Sequence, residues 1–251
     1  MKGALLLAAA LLAPSPAAAE TKTTLSLRGQ EQTLRLYGPR TGPPVVVSSG
    51  DGGWTHLGPD IALFLETRGF FVVGFDCKRY LASFTSGSKT LAPTDVPADY
   101  RSLVAFARGG RAEPVLLVGV SEGAGLSVLA ASDPGLQASL RGVLALGLPD
   151  VNELGWRFFD STIYVTHKTP NEPTFKAADY VPRLGAVPLA AIHSTHDEFV
   201  PVDEAKRLMA LPGGPKKLVI LEAADHRFSD KQPELQKAVL DALDWMKDPK
   251  R

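Results

Sequence analysis

The chain has a single cysteine, Cys77, so its fold holds no internal disulfide whatever compartment it reaches. It has no excess of either charge, with 27 basic and 27 acidic residues, and nothing in that balance points to a nucleic-acid partner. No stretch of the body approaches the length of a membrane-spanning helix. The Gly-rich run Gly50-Asp51-Gly52-Gly53 lacks the Lys-Ser/Thr ending of a phosphate-binding loop. His193 and His196 with Asp197 crowd one short loop without a helical H-E-x-x-H pattern, so no metal site is expected. No nicotinamide or flavin signature is present, and no cofactor is expected.

What is there begins with an export pattern. Lys2 gives a positive start, Ala4 to Ala13 an apolar stretch, and Ala17-Ala18-Ala19 a small-residue cleavage site. Residues 1–19 are therefore expected to be a signal peptide, with residues 20–251 left as one domain in the periplasm. No cysteine flanks the cleavage site to carry a lipid.

Short apolar runs alternate with helical segments along that domain. Thr24 to Gly38 alternates apolar and polar residues about Gly29-Gln30, the pattern of an antiparallel hairpin. Strands are expected at 45–48, 70–75, 115–118, 142–146, 188–192 and 217–221. Helices are expected at 61–67, 99–108, 126–131, 203–211 and 234–246. Continuously apolar strands between helices imply an α/β fold, with a mostly parallel sheet covered on both faces and the hairpin at one edge. Pro149 to Asp179 carries Trp156, Phe158, Phe159, Tyr164 and Phe175 without a period. It reads either as a small lid or pocket wall, or as a surface excursion whose aromatics plug into the body.

The chemistry concentrates at Gly119-Val120-Ser121-Glu122-Gly123, which links an apolar strand to a helical segment. A G-x-S-x-G turn in that context lifts a serine hydroxyl off the strand end. Gly119 and Gly123 remove side chains that would collide there, and Gly125 is expected to let helix and strand pack closely. A serine nucleophile needs a base, and the base needs an orienting carboxylate. On a parallel scaffold these follow in the order Ser, acid, His. His56 precedes Ser121, His167 lies in the irregular segment, and His193 falls within a strand. His226 follows the strand near 217–221 and is the expected base, with Asp197 after the preceding strand as the acid and Glu198 as its adjacent competitor. The expected oxyanion donors are the backbone N–H groups of Glu122 and Asp51. Expected substrate contacts are Gly50, Gly52, Gly53, Trp54, Arg79 and Trp156.

These residues resemble the α/β-hydrolase superfamily, and more narrowly the VirJ/AcvB group of bacterial virulence proteins. The narrow resemblance rests on Ser49-Gly-Asp-Gly-Gly-Trp54, on Val73-Gly-Phe-Asp76 with Arg79-Tyr80, and on the turn at Gly119 to Gly123. Glu122, and Leu-Ala-Ser after Tyr80, depart from the more aromatic or aliphatic residues expected there. The resemblance implies an exported serine hydrolase cleaving a small-molecule or lipid ester, aminoacylated phosphatidylglycerol among the candidates. It also implies transient contact with membrane lipid or secretion machinery. Asp51 and Glu122 would suit a substrate ammonium, and Lys78 with Arg79 a phosphate. A non-catalytic binding or assembly factor on the same scaffold, and a thioesterase or peptidase, are the alternatives.

Overall fold

The computed structural model describes residues 20–157 and 172–249. The expected signal peptide lies outside them, as do Phe158, Phe159, Tyr164 and His167. The sheet begins with the hairpin β1 (Thr21–Leu27) and β2 (Gln30–Tyr37), joined by Arg28-Gly29, both at positive φ. It continues with β3 (Pro44–Ser48), β4 (Phe71–Phe75), β5 (Val115–Val120), β6 (Leu140–Leu146), β9 (Leu189–Ser194) and β10 (Lys216–Leu221). Between β6 and β9, the three-residue strands β7 (Val151–Glu153) and β8 (Thr174–Lys176) pair antiparallel as a separate ribbon.

The spatial order is β1-β2-β4-β3-β5-β6-β9-β10. β2 meets β4 antiparallel and every pair from β4 to β10 is parallel. The expected hairpin therefore does sit at one edge of a mostly parallel sheet. After β3 the chain crosses first to one side, for β4, and then back to the other, for β5. That places a topological switch point between β3 and β5, where the crevice above the strand ends takes ligands in such sheets.

The apolar runs are continuous because both faces are covered. Val46 and Leu117 face one core, which includes Leu103, Leu126 and Leu129. Their neighbours Val45, Val47, Leu116 and Val118 face the other, with Ile61, Leu65, Leu235 and Val239. The helices supplying those layers are α1 (Leu57–Thr67), α3 (Asp95–Arg108), α4 (Glu122–Ala131) and α7 (Gln232–Trp245). Each fully buried Leu or Val contributes roughly 1.5–3 kcal/mol, so the two layers dominate stability. Helix α4 has every residue buried, so only part of it stands out from the sequence. The short α5 (Pro134–Gln137) and α6 (Val202–Ala210) complete the set.

Helix α2 (Cys77–Phe84) was not expected. Asp76 caps it by accepting the Arg79 N–H at 3.1 Å, and Tyr80 and Leu81 are its buried face. Cys77 thus opens a helix, and its thiol is raised well above the usual range by burial, then by Asp76 and Glu122. Gly125 also differs from expectation. A Cβ there would fall 1.7 Å from the Asn152 Oδ1, so its space is taken by the β7 side chain.

Candidate active site

Ser121 joins β5 to α4 at φ 50° and ψ −118°, outside the regions L-residues ordinarily occupy. The turn is tight enough to require both flanking glycines. A Cβ on Gly119 would lie 2.3 Å from the Gly123 carbonyl oxygen, and one on Gly123 would lie 2.4 Å from the Ser48 and Ser49 carbonyl oxygens. These neighbours are backbone and cannot yield cheaply. The Ser121 N–H donates to the Leu146 carbonyl at 2.8 Å, tying the turn to β6. Held in this way, the serine projects from the carboxyl end of the sheet.

Asp197 and His226 meet there from the loops after β9 and β10. The His226 Nδ1–H donates to the Asp197 Oδ2 at 2.6 Å. The other oxygen, Oδ1, accepts the backbone N–H groups of Phe199 at 3.0 Å and Val200 at 2.8 Å. Burial pushes this carboxyl up, but the His226 contact and the two amides outweigh it and hold it below the usual value. Glu198, the adjacent competitor, accepts the His226 backbone N–H at 2.8 Å instead. It anchors the loop and leaves Asp197 to orient the ring. Phe199 meets the imidazole edge-on, with ring centroids 5.5 Å apart.

A third support comes from Gly147, at the end of β6. Its φ is 62°, and a Cβ there would lie 2.5 Å from the His226 Cε1. The ring occupies the space that this glycine leaves. His193, expected to be a packed strand histidine, is buried in β9, with Nε2 2.8 Å from the Val200 carbonyl and 3.8 Å from the Asp197 Oδ2. It backs the loop that carries the acid.

Ser121 and His226 both line a cavity of about 270 Å³. No hydrogen bond joins them among the described residues; such contacts are often long without substrate and tighten on binding. The loop after β3 forms the facing wall with Gly50, Asp51, Gly52 and Gly53. A Cβ on Gly50 would touch the Ser121 Cβ at 3.3 Å, so backbone runs directly past the serine. Among the described residues the N–H groups of Asp51 and Glu122 donate to no backbone carbonyl, and both residues line the cavity.

Trp54, Arg79 and Trp156 do not line it. The Trp54 ring packs against β4, where a Cβ on Gly74 would meet it at 2.4 Å. Its Nε1–H donates to the Tyr37 hydroxyl at 3.2 Å. Arg79 is exposed on α2, so the phosphate contact expected of it and Lys78 is not at the cavity. Trp156 is half-buried with the Lys78 ammonium 4.2 Å from its ring centroid.

Sequence reasoning missed other lining residues. Val151 and Glu153 come from β7, Glu204 from the first turn of α6, and His56 from the N-terminus of α1. The described start of the 149–179 stretch thus forms part of a cavity wall, while the buried Phe175 in its other described end plugs into the core.

The Glu122 side chain is 5% exposed, its Oε1 accepting the Glu153 N–H at 2.9 Å. Burial, then the Glu153 and Asp51 carboxyls, raise its pKa well above the usual range. Among the described residues no group of three His, Cys, Asp or Glu side chains is placed to hold a metal ion, and no helix is long and apolar enough to cross a membrane.

A parallel sheet with a strained serine turn at its centre, and an acid and a histidine on its last two strand ends, has the α/β-hydrolase fold. Solved structures share that fold. Est1E from Butyrivibrio proteoclasticus is 13% identical at a TM-score of 0.65, over 91% of this chain and 98% of that one. A membrane phospholipase A described as a bacterial virulence factor is 14% identical at 0.65, over 91% and 87%. The esterase domain of a Rhodothermus marinus protein is 21% identical at 0.62, over 91% and 99%. Residues 44–246 match the family of bacterial virulence proteins VirJ, and the chain belongs to that family. No curated protein matches its sequence.

Proposed function

We propose that this chain is an exported serine hydrolase that cleaves carboxylic esters through an acyl-enzyme on Ser121. His226 takes the serine proton through Nε2 as the hydroxyl attacks the ester carbonyl, and then gives it to the departing alcohol. Asp197 fixes the ring with its proton on Nδ1 and stabilises the imidazolium that forms. The Asp51 and Glu122 N–H groups stabilise the oxyanion. Water then attacks the acyl group, with His226 again as base, and the free acid leaves. The observation that carries this reading is the 2.6 Å His226–Asp197 contact opening on the same cavity as the strained serine.

The cavity also suggests the ester. The Asp51, Glu153 and Glu204 carboxylates line it, so its walls favour a cationic substrate group over an anionic one. An aminoacyl ester of phosphatidylglycerol offers such an ammonium beside its scissile carbonyl. Lys2, the apolar stretch from Ala4 to Ala13 and the Ala17–Ala19 run support export to the periplasm, where membrane lipid would be within reach. The test is hydrolysis of lysyl-phosphatidylglycerol by purified residues 20–251, followed as release of lysine. Turnover abolished by Ser121→Ala is expected. Cleavage of simple esters with the lysyl lipid left intact would reject the lipid substrate and keep the hydrolase.

A further inference from the structure

His56 opens α1 at φ 54° and ψ −122°, nearly repeating the 50° and −118° of Ser121. Two non-glycine residues thus share a conformation that L-residues avoid, and both line one cavity. Among the described residues, the other two positive-φ residues outside glycine are held by their own side chains. Arg28 is paired with Asp99, and Phe228 is fully buried in the core.

His56 has no such support. Its imidazole is exposed, makes no capping hydrogen bond to α1, and has no hydrogen-bond partner among the described residues. The backbone holds it instead: Gly53 N–H donates to the Gly50 carbonyl at 3.0 Å, Thr55 N–H to Gly53 at 2.8 Å, and Asp60 N–H to His56 at 3.3 Å. Strain fixed by the surroundings and unused by its own side chain is characteristic of ligand clamps.

The chemistry of the lining says what such a clamp would supply. An ester, like a phosphodiester, presents oxygen acceptors, and ionised carboxylates on the cavity wall cannot donate to them. Among the described residues, apart from Ser121, His226 and the Glu122 carboxyl bonded to the Glu153 N–H, the side-chain donors lining the cavity are Thr55, His56 and Arg227. Of these, Thr55 and His56 stand on the loop that also carries the Gly50 to Gly53 backbone past the serine, and only His56 is held at positive φ. We propose that His56 is a substrate-binding residue, its imidazole donating a hydrogen bond to an oxygen of the bound ester. The choice of ligand rests on the ester-hydrolase reading above.

The test uses Ser121→Ala protein, so binding is measured without turnover, with short-chain lysyl-phosphatidylglycerol and plain phosphatidylglycerol as probes in calorimetry. Adding His56→Gly should weaken binding roughly tenfold, about 1.4 kcal/mol, because the donor is gone. It should also raise Tm by roughly 2–4 °C, because glycine adopts this backbone without strain. His56→Asn tolerates positive φ and keeps a donor, so its affinity should stay within about threefold of the parent. Affinity unchanged in His56→Gly would overturn the proposal, as would failure of the Ser121→Ala parent to bind either lipid. A Tm that does not rise would overturn its strain argument. Wild-type protein that binds the lipid through His56 yet releases no lysine would reject the lipid as a substrate and leave the His56 contact standing.

Discussion

Replacing Asp197 with asparagine isolates the orienting carboxylate from the loop it stabilises. The asparagine carbonyl can still accept the Phe199 and Val200 amides, which lie 3.0 and 2.8 Å from one carboxylate oxygen. Its NH₂ group, however, would face the His226 Nδ1, now 2.6 Å from the other oxygen. An NH₂ opposite Nδ1 selects the tautomer with its proton on Nε2, which cannot take the proton of Ser121. The expected fall in kcat is roughly 10⁴-fold, equivalent to about 5.5 kcal/mol of transition-state stabilisation.

Stability should change far less, by ~1–2 kcal/mol near neutral pH, since only the charge-assisted part of three hydrogen bonds is lost. The pH dependence has a definite sign. Asp197 is held below its unfolded value, so its contribution is complete above the unfolded carboxyl pKa of about 3.9 and is lost as pH falls through the lower folded pKa. Wild type and variant should therefore converge in stability in acid and separate above about pH 4. Ester turnover and urea denaturation from pH 3 to 8 measure both. A variant within tenfold of wild-type kcat at neutral pH would refute the assignment of Asp197.

Gly147→Ala should cut turnover by roughly 10²-fold with the chain still folded, because a Cβ 2.5 Å from the His226 ring pushes it off Asp197; unchanged kcat would mean the ring does not need that space. Glu122→Gln should stabilise the protein at pH 8 more than at pH 5. A carboxyl raised on folding contributes most below its unfolded pKa and loses that contribution as pH rises toward the folded value; denaturation midpoints at the two pH values check the sign. Arg28→Ala should lose about 2 kcal/mol without affecting catalysis, because it leaves the nearly buried Asp99 carboxylate, which Arg28 holds at 2.8 Å, with the Tyr80 hydroxyl but no cation. The figure is below that of a fully buried pair because Arg28 is half-exposed. Equal thermal midpoints for that variant and wild type would remove this clamp from the account.

The central strands and the serine turn were legible because burial on both sheet faces leaves unbroken apolar runs, and because Gly119 and Gly123 are needed where backbone meets backbone. The order of Ser121, Asp197 and His226 followed from which strand ends the parallel sheet brings together. What was missed depends on partners distant in sequence. Helix α2 is eight residues long with polar residues on its outer face, too short for a period to declare itself. Strands β7 and β8 have three residues each and exist through one another. Trp54 looks like a pocket wall beside its glycines until Gly74, on another strand, provides the slot that its ring fills. His56 was set aside as a base because it precedes the serine, and only the structure brings it to the cavity.

The most direct measurement is labelling of purified residues 20–251 by a fluorophosphonate probe, beside Ser121→Ala and His226→Ala. A labelled wild type, no labelling of Ser121→Ala and a sharp fall in His226→Ala are expected. A folded wild-type protein that takes up no probe, or a Ser121→Ala variant that still does, would contradict the assignment of Ser121 as the nucleophile.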